Sequence, residues 1–522
     1  MAAQGYKTGA TAPHTSSQQR RSSATALVAG STILAGLFAF LTTIIMPRGP
    51  VTAVQAGGVM LGSLAIGLVG GLGMRTRWAM LLLPLIYAAV VELTRLNTVG
   101  PTVDAIRLDT PFGILALIVG RGFHGLVAFP PMLLGVGLGL TLIDAAAAGR
   151  APLSAFLHQP FLVLLALLVA ALAVVNAIPA RTPPVVDAGG NPVPGSIAEL
   201  TTVRLGGQEQ AILIRAHSPD LPVLLYLSGG PGQSDLPFTR VLFADLARHF
   251  VVVSWDQRGT GKSYAALDPT VDLTLTQAVA DTIELTSYLR ERFGEEKIYL
   301  MGESWGTTLG VLAVQQRPDL YHAWIGSGQM VSQRETDRRL YQAMLALADR
   351  TGDTALRAQL LGFGEPPYGD IPYPNAVVMS AYPRLETPYT PPQAYIARGT
   401  AANLGPYGIF GSEYNFVEKV NVLRGLIDMF TVMYPQIQGL DFRQDVARLA
   451  VPVYILDGAA ELPARRELAL EWYAQLEAPR KRIYTFEDAG HSVAFEQFAA
   501  LEQIATQTIL VETNPKGNHH EP

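Results

Sequence analysis

The chain has 522 residues, of which 49% are hydrophobic and 16% are charged, and the apolar excess lies before about residue 180. The length is enough for two or three domains, and the lack of cysteine excludes disulfides, cysteine–zinc sites and thiol catalysis. The net charge of the chain is −5. Residues 1–181 hold eleven Lys and Arg against four Asp and Glu, so the remainder of the chain is strongly acidic. Nucleic-acid binding is therefore not expected.

The N-terminal third predicts an all-α transmembrane bundle over residues 24–180, after a Ser/Thr/Gln/Ala-rich stretch at 1–23 that is typical of disorder. A spanning helix needs about 20 apolar residues. Five stretches meet or approach this length, at about residues 24–46, 54–73, 78–94, 124–143 and 160–178. The first stretch also fits a cleaved signal peptide, but the later ones would still leave a membrane protein.

Two features of the bundle are specific. Gly58 and Gly62 lie four residues apart, as do Gly67 and Gly71, which puts small side chains on one helix face and permits close helix contact. Residues 112–120 are apolar but too short to span a bilayer unaided. They extend the fourth span or form an interfacial or re-entrant piece.

Positive charges predict the orientation of the bundle. Six lie before the first span or in the loops on the same side of the membrane: Lys7, Arg20, Arg21, Arg75, Arg77 and Arg150. Three lie in the loops on the other side: Arg48, Arg95 and Arg107. Cytoplasmic loops carry the excess of Lys and Arg. We therefore expect a plasma-membrane protein with a cytoplasmic N-terminus and, after five spans, an extracytoplasmic domain.

A Pro/Gly-rich linker at 181–199 leads into an alternation of strands and helices. The predicted strands are 201–205, 211–216, 223–228, 250–255, 297–301, 323–326, 453–456 and 482–486. The predicted helices between and after them are 273–293, 305–316, 464–476 and 493–510. This alternation predicts an α/β fold with a mainly parallel sheet.

The alternation breaks between residues 329 and 442, where the sequence is helical with a Pro/Tyr-rich middle. We interpret this stretch as a helical cap inserted over the carboxyl end of the sheet. The sheet domain then has two parts, 200–328 and 443–512, and residues 513–522 form a tail.

Ser304 stands in the pentapeptide Gly-Glu-Ser-Trp-Gly, between a predicted strand and a predicted helix. A nucleophile elbow needs this strand–turn–helix setting, because the tight turn raises the serine hydroxyl above the sheet. The sequence therefore predicts a serine nucleophile at Ser304.

A serine nucleophile needs a base and an acid that orients the base, in the chain order Ser, acid, His. His491 follows the last predicted strand and precedes a helix, so it is the expected base. Asp457 and Glu461 both follow the strand 453–456. Position favours Glu461 as the acid, since its loop can reach the histidine, and leaves Asp457 as the alternative.

Two loops complete the predicted site. The glycine-rich loop after strand 223–228 places the backbone N–H of Gly230 where an oxyanion donor should arise, and the N–H of Trp305 is the expected second donor. The segment 256–263 ends in Gly-Lys-Ser, but Asp256 stands where a phosphate-binding loop needs glycine. We interpret this segment as a loop that braces the active site.

Three motifs, at 228–232, 256–263 and 302–306, together resemble the signature motifs of prolyl iminopeptidases. The resemblance covers about residues 200–510 and implies an α/β-hydrolase fold with a cap over a Ser-Asp-His site that releases N-terminal residues. The family has Gly-x-x-Asp at the acid loop, where this chain keeps the spacing but has Glu461. Ser228 also replaces the usual histidine before Gly-Gly-Pro-Gly.

The resemblance also implies cap carboxylates that bind the free amine of the substrate, and Glu413 is a candidate. Glu303 is a second candidate for substrate binding, because serine carboxypeptidases use a glutamate in a similar Gly-Glu-Ser-Tyr motif. Arg258 and the lack of disulfides favour the iminopeptidase side.

These predictions converge on a membrane-anchored serine hydrolase, most simply an aminopeptidase that acts on a peptide or a small amide or ester. No metal or organic cofactor is expected, and the oligomeric state stays open. The alternatives are an esterase or lipid hydrolase of the same fold and, from another class, an inactive hydrolase-like membrane scaffold.

Overall fold

The computed structural model describes residues 17–104, 106–369 and 372–514. Disorder was predicted for residues 1–23 and a tail for 513–522, and residues 1–16 and 515–522 of these stretches lie outside the described ranges. The prediction is wrong for residues 17–23, which are helical because they continue the first apolar helix, and Thr513 still belongs to the last helix. The chain forms two compact units. The first holds Val54–Asn97, His124–Val175 and the residues up to Gly49, and the second holds Pro50–Ala53, Thr98–Phe123 and the chain from Asn176 onward.

This division differs from the predicted boundary near residue 180. Pro50–Ala53 and Thr98–Phe123 connect helices of the first unit, and we had assigned them to the transmembrane region. They belong to the second unit because their backbone and side chains bond to a helix of the predicted cap.

The first unit is built from apolar helices. They are α1 (Ser17–Ile45), α2 (Ala53–Met74), α3 (Ala79–Thr94), α5 (Phe123–Ala148), the short α6 (Pro152–Leu157) and α7 (Pro160–Ala177). Within the described residues, four helical stretches are long and apolar enough to cross a membrane: Thr25–Ile45, Ala53–Met74, Pro111–Ala148 and Pro160–Ala177. The third predicted span, α3, is a shorter apolar helix.

The segment 112–120 continues directly into the fourth of the five predicted spans. Helix α4 (Pro111–Leu117) leads through a π-helical turn at Ile118–Gly122 into α5. Of the alternatives left open by the sequence, helical extension is the one observed.

Close contact between α2 and α5 depends on glycine. A Cβ added at Gly67 would lie 2.0 Å from the carbonyl oxygen of Met132, and one added at Gly71 would lie 2.4 Å from that of Val136. The predicted role of this glycine pair in helix packing is therefore confirmed. Large side chains such as Leu61 and Leu164 point outward and are 70% and 66% exposed, a surface suited to lipid.

The second unit contains an eight-stranded sheet in the order β1-β2-β4-β3-β5-β6-β7-β8. The strands are β1 (Ile197–Leu205), β2 (Gln208–Ala216), β3 (Val223–Leu227), β4 (Val251–Trp255), β5 (Ile298–Glu303), β6 (Tyr321–Ser327), β7 (Val453–Gly458) and β8 (Lys481–Phe486). Strand β2 pairs antiparallel with β1 and β4, and all other pairs are parallel. The predicted eight strands and mainly parallel sheet are confirmed.

The sheet has an apolar layer on each face, as expected of parallel strands covered on both sides. Successive residues of a strand point to opposite faces. Leu225 and Leu300 pack in one cluster, whereas their neighbours Tyr226, Tyr299 and Met301 pack in the other.

Helices of the sheet domain flank the strands. They are α8 (Leu236–Leu242), α9 (Leu275–Phe293), α10 (Trp305–Gln316), α17 (Pro463–Gln475), α18 (Val493–Glu496), α19 (Phe498–Ile504) and α20 (Leu510–Thr513). The predicted helix 493–510 is thus broken, with a non-helical Gln497 after α18 and a π-helical turn at Ala505–Ile509 after α19.

The insertion between β6 and β7 is helical, as predicted. It comprises α11 (Gln333–Thr351), α12 (Thr354–Phe363), α13 (Pro372–Ser380), α14 (Gln393–Ala402), α15 (Phe416–Ile437) and α16 (Phe442–Asp445). Helix α15 begins with a capping box, in which Asn415 and Glu418 each bond to the backbone of the other.

Candidate active site

Ser304 occupies a strained turn between β5 and α10. Its φ of 53° and ψ of −120° are rare for a residue with a side chain, and such strain persists only where the surroundings enforce it. A Cβ added at Gly306 would lie 2.1 Å from the carbonyl oxygen of Leu227, so the helix packs directly on strand β3. The predicted strand–turn–helix setting of the serine is therefore present.

His491 and Glu461 are in contact. His491 follows β8, and its Nδ1 is hydrogen-bonded to Oε2 of Glu461. The other carboxylate oxygen accepts the Leu462 N–H at 2.7 Å and lies 3.6 Å from Nη1 of Arg465. Burial alone would raise the pKa of Glu461, but the imidazole of His491 and the guanidinium of Arg465 outweigh it and lower the pKa.

Asp457 has other partners. Its carboxylate accepts three hydrogen bonds from Arg466, the shortest at 2.9 Å, and one from Thr485 at 2.9 Å. Asp457 lies within β7 and Glu461 follows it, and the structure brings Glu461 to the histidine.

The loops that carry Glu461 and His491 are joined through their backbones. The Ala460 N–H donates to the carbonyl oxygen of Ala489 at 3.0 Å. A Cβ added at Gly458 would lie 2.0 Å from the carbonyl oxygen of Gly490. This packing fixes the distance between the two side chains.

A third loop, after β6, borders the imidazole. Gly328 has a φ of +56°, and a Cβ there would lie 3.1 Å from Nδ1 of His491. Only glycine satisfies both the backbone conformation and the close approach.

The predicted oxyanion donors lie beside the serine. Gly230 and Trp305 line a pocket together with Ser304, and a Cβ added at Gly229 would lie 3.4 Å from the Ser304 Cβ. The glycine-rich loop therefore reaches the position that the sequence predicts for it.

Gln257 connects these two segments, and the sequence analysis assigned it no role. Its amide nitrogen donates to the carbonyl oxygen of Ser228 at 3.1 Å, and its amide oxygen accepts the indole N–H of Trp305 at 2.9 Å. Gln257 is 3% exposed, so both bonds are made away from water. The sequence held one indication of this role: Gln257 belongs to the segment 256–263 and follows Asp256 directly after β4.

The segment 256–263 was interpreted as a loop that braces the active site, and its other contacts hold it against α9 and the cap. Arg258 bonds to the buried Asp281 of α9 at 2.9 Å and to the carbonyl oxygen of Leu205 at 3.1 Å. Lys262 forms an ion pair with Glu418 of the cap helix α15 at 2.7 Å. Both contacts are structural and hold the loop against its neighbours.

A cavity of about 320 Å³ opens over Ser304 and His491. It is lined from the sheet domain by Gly230, Pro231, Gln233, Ser304, Arg465 and His491, and from the insertion between β6 and β7 by Asn375, Met379, Tyr382, Glu386, Tyr407, Leu426, Ile427 and Phe430. Phe112, from the segment before the fourth predicted span, completes the lining. The described residues contain no group of three or more His, Asp or Glu that could hold a metal ion.

Comparison with known proteins shows which proteins the chain resembles. Residues 222–397 match the sequence model of a family described as alpha/beta hydrolase fold. The chain is 28% identical over 302 residues to a probable aminopeptidase, YbaC of Bacillus subtilis (strain 168). The aligned region covers 58% of this chain and 93% of that protein. The chain has the α/β-hydrolase fold and is similar to an aminopeptidase and to proline iminopeptidases. The predictions of this fold and of a hydrolase with peptidase-like activity are confirmed.

Two further proteins are similar to the chain, one over a shorter region and one at lower sequence identity. The proline iminopeptidase of Neisseria gonorrhoeae is 35% identical over 104 residues, which is 20% of this chain and 31% of that protein. The crystal structure of a proline iminopeptidase-related protein from Thermus thermophilus covers 61% of this chain and 99% of its own, with 23% identity and a TM-score of 0.43.

Neither predicted substrate-binding carboxylate of this α/β-hydrolase is among the described residues that line the cavity. Glu413 is fully buried and forms an ion pair with Arg240 at 2.5 Å. Glu303 ends β5 and is 2% exposed, beneath the elbow rather than open to a ligand. Glu386 is the carboxylate that lines the cavity instead.

Glu303 has the environment of a neutral carboxyl group. Burial and the nearby Asp235 raise its pKa well above the usual 4.5, against a hydrogen bond from Ser492 that lowers it. The folded protein therefore keeps this proton at a pH where the unfolded chain has lost it. In that window the unfolded state binds fewer protons, so Glu303 lowers stability as the pH rises above 4.5.

We expect Glu303→Gln to become more stable relative to the wild type as the pH rises from 4.5, by at most about 1.4 kcal/mol per pH unit. The measurement is thermal unfolding of the detergent-solubilised full chain at several pH values. The exposed Glu209→Gln is the control and should follow the wild type throughout. A Glu303→Gln curve parallel to the wild type would show that the carboxyl does not titrate in this way.

Proposed function

We propose that this chain is a membrane-anchored aminopeptidase that acts through Ser304, His491 and Glu461. The observation that carries the proposal is that the serine at a strained elbow and the histidine bonded to Glu461 line one cavity. Nucleophile, base and orienting acid are the three groups that acyl transfer needs.

In the proposed reaction, Ser304 Oγ attacks the carbonyl carbon of the N-terminal residue while Nε2 of His491 takes the hydroxyl proton. Glu461 holds Nδ1 and stabilises the resulting imidazolium. The N–H groups of Gly230 and Trp305 bind the oxyanion. The imidazolium then protonates the leaving amine, and a water activated by His491 hydrolyses the acyl-enzyme to release the N-terminal residue.

Glu386 is the proposed anchor for the free amine of the substrate. It lies in the same cavity as Ser304 and is half-buried, so an ammonium group there would be partly removed from water. Burial and the neighbouring Glu461 raise the pKa of Glu386, against the cations Arg465 and His491, which lower it. A bound ammonium would favour the ionised carboxylate and so gain binding energy.

The membrane part of the proposal is supported by chain connectivity as well as by hydropathy. Pro50–Ala53, Thr98–Phe123 and the hydrolase residues form one compact unit. A compact unit lies on one side of a membrane, so α2 and α3 must cross as a pair, as must α5 and α7. With α1, and with the shorter helix α3 counted, this makes five proposed crossings. The excess of positive charge at the N-terminal side supports a hydrolase outside the cytoplasm.

The first test is a substrate panel on the purified full chain in detergent. We expect cleavage of fluorogenic aminoacyl amides that have a free amine, and much weaker cleavage of their N-acetylated counterparts. Ser304→Ala should lose on the order of 10⁶ in kcat without loss of fold. Glu386→Gln should reduce the preference for a free amine by about 30-fold or more, because it removes the charge that pairs with the ammonium.

The panel also includes p-nitrophenyl esters. Ser304-dependent cleavage of esters without cleavage of amides would replace the aminopeptidase by the esterase or lipid hydrolase alternative. Full activity of Ser304→Ala, or no activity on either class, would contradict the serine mechanism.

A matched pair of variants tests the acid. Glu461→Gln should lose about 10⁴ in kcat, since the amide no longer fixes the tautomer of His491 or stabilises its charge. Asp457→Asn, whose carboxylate bonds to Arg466 and Thr485, should retain most of its activity. Steady-state kinetics on the folded variants decide, and the reverse order of losses would move the assignment to Asp457.

Because the chain has no cysteine, single-cysteine variants test the topology. Ser287→Cys lies on the exposed face of α9 in the hydrolase, and Ala147→Cys lies at the exposed end of α5. A membrane-impermeant maleimide should label the first in cells with an intact inner membrane and the second only after lysis. The opposite pattern would place the hydrolase in the cytoplasm.

A further inference from the structure

We infer that Phe112, in the segment that connects two predicted membrane helices, is part of the substrate-binding site and limits the size of the apolar group placed over Ser304. This inference rests on the proposed serine mechanism and adds a specificity determinant to it. It depends on three observations: where Phe112 lies, how its segment is held, and what the surrounding wall is made of.

Phe112 lines the same cavity as Ser304 and His491. It packs in a small apolar cluster with Ala116 and Val119 of its own segment and with Ile427 of helix α15. Ile427 also lines the cavity, so the aromatic ring and the cap helix form one continuous wall.

Asp428 fixes the segment to α15 one residue further along the helix. Its carboxylate accepts the backbone N–H of Thr102 at 3.1 Å and the hydroxyl of Thr102 at 2.5 Å. It also accepts the hydroxyl of Tyr264 at 2.6 Å. Asp428 is fully buried, and a buried carboxylate is costly unless it is hydrogen-bonded in this way.

Arg424, one turn earlier on α15, bonds to both connecting segments. Its Nε donates to the carbonyl oxygen of Val119 and its Nη1 to that of Pro50, each at 2.8 Å. Asn421 adds a bond from its amide nitrogen to the carbonyl oxygen of Val51 at 2.8 Å. Arg424 is also fully buried, so the cap helix carries two buried charges whose partners include these segments. The position of Phe112 is thereby fixed.

The wall around Phe112 selects for an apolar group. Met379, Leu426, Ile427 and Phe430 line the cavity together with Phe112, whereas its acidic and basic side chains are Glu386, Arg465 and His491. A volume of about 320 Å³ is at the lower end of small-molecule sites. A substrate whose reacting carbonyl lies at Ser304 would thus place its apolar side chain or acyl chain against this wall, where the ring of Phe112 sets the available length.

The test varies the ring and the substrate together in the detergent-solubilised full chain. Substrates are p-nitrophenyl esters of increasing acyl length and amides of alanine and phenylalanine, and the readout is the ratio of kcat/KM for the larger over the smaller member. Phe112→Ala should raise this ratio about 10-fold or more, within the range expected for apolar pockets. Phe112→Trp should lower it, and this second variant decides if the first does not fold.

Ile114→Ala is the matched control, because Ile114 lies on the same helix, is 43% exposed and is not among the residues that line the cavity. It should leave the ratio unchanged within about twofold. Ratios that are equal in the wild type and in folded Phe112→Ala and Phe112→Trp would overturn the inference while Ser304-dependent hydrolysis stands. If Ser304→Ala retained the wild-type activity, the serine mechanism itself would be wrong. That result would overturn both the proposed function and this inference.

Discussion

The site depends on glycines, because the lack of a side chain lets the backbone of helix α10 come close to the backbone of strand β3. Helix α10 can begin directly behind Ser304 because Gly306 packs on the carbonyl oxygen of Leu227, at the end of β3. The same contact places the glycine-rich loop after β3 next to the serine. A methyl group at Gly306 would separate the helix from the strand, and with it the nucleophile from the backbone donors that face it.

Burial then separates the roles of the acidic side chains near the serine. Glu461 is buried but bonded to His491 and close to Arg465, so its pKa is lowered and it remains a charge acceptor. Glu303 is buried without a cation, so its pKa is raised and the neutral form is favoured. Asp457 forms an ion pair with Arg466 and so has a partner other than the histidine. Side chains of the same chemistry thus differ because of the partner that each one meets.

Much of this was predictable from the sequence. The strands, the elbow at Ser304 and the loop of His491 follow from local patterns, since runs of buried β-branched residues and glycines at fixed positions have few other uses. The choice of Glu461 over Asp457 followed from loop length and agrees with the contact to His491.

Three features did not follow from the sequence, because each depends on contacts between distant parts of the chain. Glu413 has a polar sequence neighbourhood, but its partner Arg240 lies 173 residues away. Gln257 joins two loops that meet only in the folded sheet. Phe112 was assigned to the membrane region because its neighbours are apolar, and hydropathy alone cannot distinguish a residue in lipid from one in the wall of a cavity.

The bonds made by α15 also constrain how the protein folds. Thr102 and Asp428 are separated by 326 residues, and Pro50 and Arg424 by 374. During synthesis the partners of α15 emerge first, attached to the apolar helices. Contacts of such long sequence separation form slowly. In the proposed membrane-anchored protein, we therefore expect insertion of these helices to precede completion of the cap, so that the cavity over Ser304 forms only after anchoring.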